Sequence, residues 1–360
     1  MGEIKKYQRC LVMAGGGFRF SYYLGIHAAA VEAGKQPDLL LASCGGSIAA
    51  AIIQALPTDA ERIDWVSSPA MYEFMRGLQS TARAAITRSF VHAVKRRLAS
   101  ARAELIPDLF DDYFFELPAD LPLPAVNPDP HVDVAIVGGK LLYEPEDVGQ
   151  PRAGRKLFAE TVFGGPRVAG VLEGMAAPMG TPAWGDTAIA PRLVTDTGMP
   201  IADAVRISIS DMFYFRCHSR AGDHYMGGVI DLFPIELANR LADHVMIEMK
   251  SPFNQALAIP ALRAVLGVDG NARLRHIHDQ HADVWIDTSD VEKVLHGSGV
   301  RKILSWRENR IRLVVAGDHA RYAADVRAQW DYGYRRAKEA FSRQGKHLMR
   351  NATRHNWNGA

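Results

Sequence analysis

Two apolar runs that end in small residues open the chain. Residues 8–15 (QRCLVMAG) and 37–43 (PDLLLAS) are close to continuously apolar over the length of a strand. That pattern predicts strands buried on both faces. Each run passes through glycines into an apolar stretch too long for a strand, 21–34 (SYYLGIHAAAVEAG) and 47–56 (SIAAAIIQAL). Strand, helix, strand, helix in that order predicts a parallel sheet with helices on its faces. The same reading predicts strands at 131–139, 244–249, 282–288 and 310–317. It predicts helices at 200–210, in the later part of 224–243, and at 322–341.

Residues 60–115 read as helical. Within them, 83–102 spaces Ile86, Phe90, Val94 and Leu98 four apart and gathers Arg88, Lys95, Arg96, Arg97 and Arg102 on the remainder. This is expected to be a solvated basic helix packed on the domain, with peripheral contact to an anionic membrane as the alternative. Residues 116–130 are a Pro-rich loop. Residues 145–198, dense in Gly and Pro, are expected to be an irregular insertion near the active face. The expected organisation is one α/β domain over 1–345, with insertions at about 60–130 and 145–198, and a basic tail at 346–360.

Composition narrows the classes without choosing a chemistry. The 360 residues are 48% hydrophobic and 23% charged, with a formal net charge of +2. This is ordinary globular composition and too balanced to point to nucleic acid. Three widely spaced cysteines, Cys10, Cys44 and Cys217, form neither a disulfide framework nor a metal pattern. They suit a reducing, cytoplasmic setting, with peripheral membrane association left open. No apolar run reaches the ~18 residues that a membrane span needs. No metal or cofactor is expected. The glycine turn lacks the Lys-Ser/Thr of a P-loop, and Phe20 stands where a dinucleotide fold has its third glycine. Oligomeric state is not legible.

The chemistry concentrates at the two strand-to-helix turns. Gly15, Gly16 and Gly17, followed by Arg19, let backbone amides face an anion. At the second turn Ala42 and Gly46 flank Cys44 at −2 and +2. That is the small-residue spacing of a nucleophile elbow, in which the chain folds back sharply and presents the central side chain. A thiol there lies at a helix N-terminus, and the dipole is expected to favour its thiolate.

These motifs resemble the start of a patatin-like phospholipase, a family that pairs Gly-Gly-Gly-x-Arg-Gly with Gly-x-Ser-x-Gly. Gly15, Gly16, Gly17, Arg19, Gly25 and Gly46 match. Phe20 and Ala42 replace glycines, and Cys44 stands at the position of the serine nucleophile. The family's Asp-Gly-Gly/Ala loop is matched in spacing by MGGVIDLFP (226–234), where Gly227, Gly228 and Pro234 agree. Met226 occupies the aspartate position and Leu232 that of an asparagine. The resemblance implies a patatin-like three-layer α/β/α fold with a mainly parallel central sheet, and acyl transfer chemistry on lipids.

With the dyad aspartate lost, Cys44 needs another group to take its proton. His224, oriented by Asp223, is the candidate acid–base, because residues two apart on a strand share a face and His224 precedes Met226 by two. Asp231 reads as a helix cap, His27 and His218 are weaker candidates, and Ser43 is expected to point into the fold. The Gly16, Gly17 and Gly45 amides form the expected oxyanion hole, with Gly15 and Arg19 completing the anion site. The expected function is an acyl hydrolase or acyltransferase acting on a lipid ester or acyl thioester through a Cys44 thiolate. The alternative is an inactive protein that binds a lipid or acyl ligand.

Overall fold

The computed structural model describes residues 5–87, 104–255 and 258–342. Thirteen strands are named here in chain order: β1 (Tyr7–Ala14), β2 (Leu39–Ser43), β3 (Gln79–Ser80), β4 (Phe115–Glu116), β5 (Asp133–Leu141), β6 (Phe158–Gly164), β7 (Val194–Asp196), β8 (His218–Arg220), β9 (Asp223–Met226), β10 (Ala242–Met249), β11 (Val284–Asp287), β12 (Arg301–Ser305) and β13 (Arg310–Val314). The helices are α1 (Ser21–Glu32), α2 (Gly45–Ala55), α3 (Asp59–Val66), α4 (Pro69–Arg76), α5 (Pro166–Leu172), α6 (Ile201–Ile209), α7 (Ile235–Leu241), α8 (Ala258–Leu266), α9 (Gly270–His278), α10 (Val291–Val294) and α11 (His319–Ser342).

The central sheet runs β11-β10-β1-β2-β5-β6-β7, with β9 paired to β5 and β8 to β9. From β11 to β5 every neighbour is parallel, and the β5–β6 pair is antiparallel. Alternation along the strands splits the interior in two. Leu11, Met13, Leu40 and Ala42 belong to one cluster, with Tyr22, Ile26, Ile48 and Ile52 from α1 and α2. Cys10, Val12, Leu39 and Leu41 belong to the other, with Val168 from α5, Leu237 from α7 and Leu274 from α9. Both strand faces are covered, which is why these strands carry near-continuous apolar runs. The result is the three-layer α/β/α architecture with a mainly parallel sheet.

The order of strands positions the site. From β1 the chain moves to β2 and then β5 on one side, while β10 and β11 lie on the other. The sheet therefore reverses its winding direction at β1, and the crevice beyond the carboxyl ends of such strands is where α/β folds place ligands. The glycine turn follows β1, and Cys44 follows β2.

Two expectations are corrected. The stretch 145–198 is not uniformly irregular, because it supplies β6, whose register runs from Ala135↔Gly164 to Leu141↔Phe158. Glu160 and Thr161 interrupt its apolar pattern, yet both are buried. Among the described residues of 60–115, α3 and α4 are helical as expected, and β3 and β4 form a short antiparallel pair that was not. Most of the predicted basic helix at 83–102, and the tail at 346–360, fall outside the described residues. Among the described residues no helix is long and apolar enough to cross a membrane.

Candidate active site

Cys44 sits between the end of β2 and the start of α2 with φ 48° and ψ −130°. An L-residue adopts that backbone only where its surroundings enforce it, as at a nucleophile elbow. The clamps are visible. The Cys44 amide donates to Ser208 Oγ at 2.8 Å, and Ser208 Oγ in turn donates to the Val137 carbonyl at 2.7 Å. The Cys44 carbonyl accepts from Ser47 Oγ at 2.6 Å and from the Ser47 amide at 3.0 Å. Ser43 is fully buried and donates to the Leu232 carbonyl at 2.7 Å, so it points into the fold as expected. Cys44 itself is half-buried.

The glycine turn folds onto this elbow. Gly15, Gly16 and Gly17 all have positive φ, at 73°, 88° and 54°. The Gly15 amide donates to the Ser43 carbonyl at 3.1 Å, which ties the two turns together and engages that amide. Gly45 lies so close that a Cβ there would come within 2.1 Å of the Gly17 carbonyl oxygen. The amides of Gly17 and Gly45 both donate toward the Cys44 sulfur. Two donors thus converge beside the thiol, the arrangement an oxyanion hole requires. Behind Gly16 stand Tyr22 and Tyr23, whose hydroxyls donate to the buried Glu248 carboxylate. Thr288 Oγ1 also donates to that carboxylate at 2.7 Å, and Lys250 pairs with it at 2.9 Å. This rigid backing to the turn was not legible in sequence. Arg19 ends the turn half-buried, and its Nε is buried without a hydrogen-bond partner.

The group that reaches the thiol is Asp211, a residue no motif marked. It follows α6 in a tight turn, in which the Tyr214 and Phe215 amides donate to the Asp211 carbonyl at 3.1 and 3.0 Å. Its carboxylate accepts the Cys44 thiol and, at 3.2 Å, the Val229 amide. A Cβ on Gly227 would lie 2.2 Å from Asp211 Oδ1. The glycine that follows the lost aspartate position therefore leaves room for a carboxylate arriving from another segment. Met226 is fully buried, its side chain packed against Gly139.

His224 and Asp223 are committed elsewhere. His224 Nδ1 is 2.7 Å from Ser219 Oγ, its Nε2 is 3.3 Å from Glu144, and its ring stands edge-on to Phe110. Asp223 pairs with Lys140 at 2.7 Å. The face-sharing argument holds along β9, but Met226 turns into the core rather than toward the thiol, so His224 gains nothing from sharing its direction. Asp231 is ion-paired with Arg273 at 3.0 Å.

The electrostatics overturn the expected thiolate. Burial, together with the neighbouring Asp211 charge and its hydrogen bond, raises the Cys44 thiol well above its ordinary value. The Gly45 and Gly17 amides pull in the opposite direction without prevailing. Burial also pushes Asp211 up to about 6, against the lowering effect of the Cys44 and Val229 hydrogen bonds. Both shifts favour a neutral thiol at rest, with the Asp211 carboxyl beside it. The helix dipole expected to favour the thiolate is outweighed first by burial and then by the Asp211 carboxylate beside the sulfur. Among the described residues no group of three or more His, Cys, Asp or Glu could hold a metal ion.

The family model for patatin-like phospholipases matches residues 11–239. The chain belongs to the patatin-like phospholipase family. Members act on lipid acyl groups, and the matched span contains both turns, Cys44, Asp211 and the 226–234 loop. No curated protein sequence matches the chain. Among solved structures, VipD from Legionella pneumophila is similar at 12% identity, over 93% of this chain and 67% of that one, with a TM-score of 0.34. A superposition that loose adds nothing to the family assignment. In this chain a cysteine stands at the elbow, and the carboxylate beside it, Asp211, comes from the turn after α6.

Proposed function

We propose that this patatin-like protein is an acyl hydrolase or acyltransferase acting on a lipid ester or acyl thioester, with Cys44 as nucleophile and Asp211 as its base. The observation that carries the reading is the Asp211 carboxylate placed beside the Cys44 thiol at a strained elbow. Because the thiol is neutral at rest, its proton passes to Asp211 as the sulfur attacks the acyl carbon. The carbonyl oxygen becomes an oxyanion facing the Gly17 and Gly45 amides, each worth ~3 kcal/mol of barrier. Collapse breaks the bond to the alkoxide or thiolate leaving group, which takes the proton back from Asp211 and leaves an acyl thioester on Cys44. Water or another acceptor then attacks that thioester and gives a proton to Asp211. The departing Cys44 sulfur recovers it. Peripheral contact with a membrane would suit a lipid substrate.

The raised thiol and the apolar filling at Met226 favour a second reading, in which the protein binds an acyl ligand without turnover. Intact-protein mass spectrometry after incubation with an acyl thioester or a phospholipid separates the two. The catalytic reading expects an acyl adduct on the wild type, none on Cys44→Ala, and an unchanged adduct on His224→Ala. A wild type that binds the ligand and never acquires the adduct would establish the binding-only reading.

A further inference from the structure

A hairpin outside the family-matched span presents a surface that the acyl chemistry does not use. β12 and β13 pair antiparallel from Arg301↔Val314 to Ser305↔Arg310, with Trp306–Asn309 at the turn. One face carries Lys302 and Leu304 opposite Leu313 and Ile311, and it leans on the body through buried Ile311 and partly buried Leu313. The other face sets Ile303 between Arg301, Arg310 and Arg312. Three large apolar side chains remain in water. Trp306 is 74% exposed, Leu304 52% and Ile303 40%. Residues 301–312 hold five cations, Arg301, Lys302, Arg307, Arg310 and Arg312, against the single carboxylate of Glu308.

We infer that the β12–β13 hairpin, together with Tyr214, is the surface by which this protein docks on an anionic lipid bilayer. An exposed tryptophan at a hairpin turn, with exposed aliphatic side chains and arginines on the strands beside it, is the composition that partitions into the headgroup region. Indole and aliphatic groups enter the interface while the guanidinium groups meet anionic headgroups, each cation contributing about fivefold in affinity. The narrow apolar tip does not resemble the broad packed patch that a stable protein partner needs. The exposed Ile303 and Leu304 suit lipid better than a nucleic acid, whose recognition would call for stacking side chains at those places.

The surface joins the candidate site directly. Lys302 Nζ donates to the Tyr214 hydroxyl at 2.9 Å and lies 5.2 Å from its ring centroid. Tyr214 is itself exposed, and its amide donates to the Asp211 carbonyl at 3.1 Å. The next residue, Phe215, meets Phe18 of the glycine turn edge-on at 6.0 Å. Through Tyr214 the hairpin therefore meets the turn that carries the Asp211 carboxylate. The inference goes beyond the proposed reaction, because docking requires no turnover.

The test is co-sedimentation of the full chain with phosphatidylcholine vesicles, with and without phosphatidylserine. The wild type and Cys44→Ala are expected to pellet equally with the phosphatidylserine vesicles and weakly with phosphatidylcholine alone, the difference shrinking as salt is raised. Trp306→Ala should lower partition about tenfold and Leu304→Ser by less, both with unchanged thermal midpoints. Arg301→Ala and Arg310→Ala should each lower it about fivefold, and Arg312→Ala, whose guanidinium pairs with Glu308 at 3.3 Å, by less. Vesicle binding by the variants equal to that of the wild type, or no vesicle binding by the wild type, would overturn the inference. So would variants that lose affinity for a single-stranded oligonucleotide while still pelleting with vesicles.

Discussion

Asp211, in the turn after α6, and Asp231, in the turn before α7, are both pushed up to about 6, in each case first by burial. Their surroundings differ in the one respect that matters for chemistry. Asp231 has a cation, since Arg273 bonds both its carboxylate and that of Glu236. Asp211 faces a thiol and a backbone amide. A buried carboxylate beside an arginine is a closed structural unit, and its charge is already compensated. One beside a thiol at a half-buried elbow has no such compensation and lies next to a group that can exchange a proton with it. A perturbed pKa draws attention to both, and only the partner tells them apart.

Substitutions break this comparison in different currencies. Asp211→Asn should slow Cys44 acylation by about 10²–10⁴-fold, because the amide cannot take the thiol proton, while the thermal midpoint stays level or rises. Single-turnover acylation monitored by mass, next to a melting curve, checks both halves. Arg273→Met should cost ~3–5 kcal/mol of stability, because it leaves Asp231 and Glu236 uncompensated, and should leave the acylation rate per folded molecule unchanged. Denaturant unfolding reads that loss. If Arg273→Met silences acylation at full stability, the two aspartates do not divide the work as described.

The pH dependence sharpens the same contrast. A carboxyl raised to about 6 in the folded state binds its proton more tightly there than in the unfolded chain. Its contribution to stability is complete below the unfolded value and is lost as pH rises through about 6, amounting to at most ~3 kcal/mol. Stability should therefore fall between pH 4 and 7, whereas acylation should rise through about 6 as Asp211 ionises. In Asp211→Asn the acylation limb should vanish, and the stability slope should flatten only in part, because Asp231 retains its share. The smallest expected effect is that of Ser208→Ala. It removes the clamp on the Cys44 amide and should cost about 1–2 kcal/mol, with a modest fall in acylation rate.

Much of the first half of the sheet was readable. The runs that became β1, α1, β2 and α2 are locally consistent: apolar stretches of the right length, small residues at the turns, and Cys44 between Ala42 and Gly46 at the spacing of an elbow. β6 was missed because Glu160 and Thr161 break its apolar pattern. Glu160 is nevertheless buried and accepts the Met179 amide at 3.1 Å, a partner supplied only by the folded chain. His224 was a reasonable candidate on strand alternation. The argument could not foresee that Ser219 and Glu144 would occupy both ring nitrogens.

By itself the sequence determined the α/β architecture, the family and the two turns that meet at the sheet's carboxyl edge, because these depend on short-range patterns of apolar and small residues. The tertiary structure decided which carboxylate lies beside Cys44, which way burial and that carboxylate push the thiol, and which basic and aromatic side chains gather on the β12–β13 hairpin. Such facts depend on groups far apart in the chain meeting in a low-dielectric interior or on one surface. There, a contact or a missing cation sets the energy, and no local pattern records either.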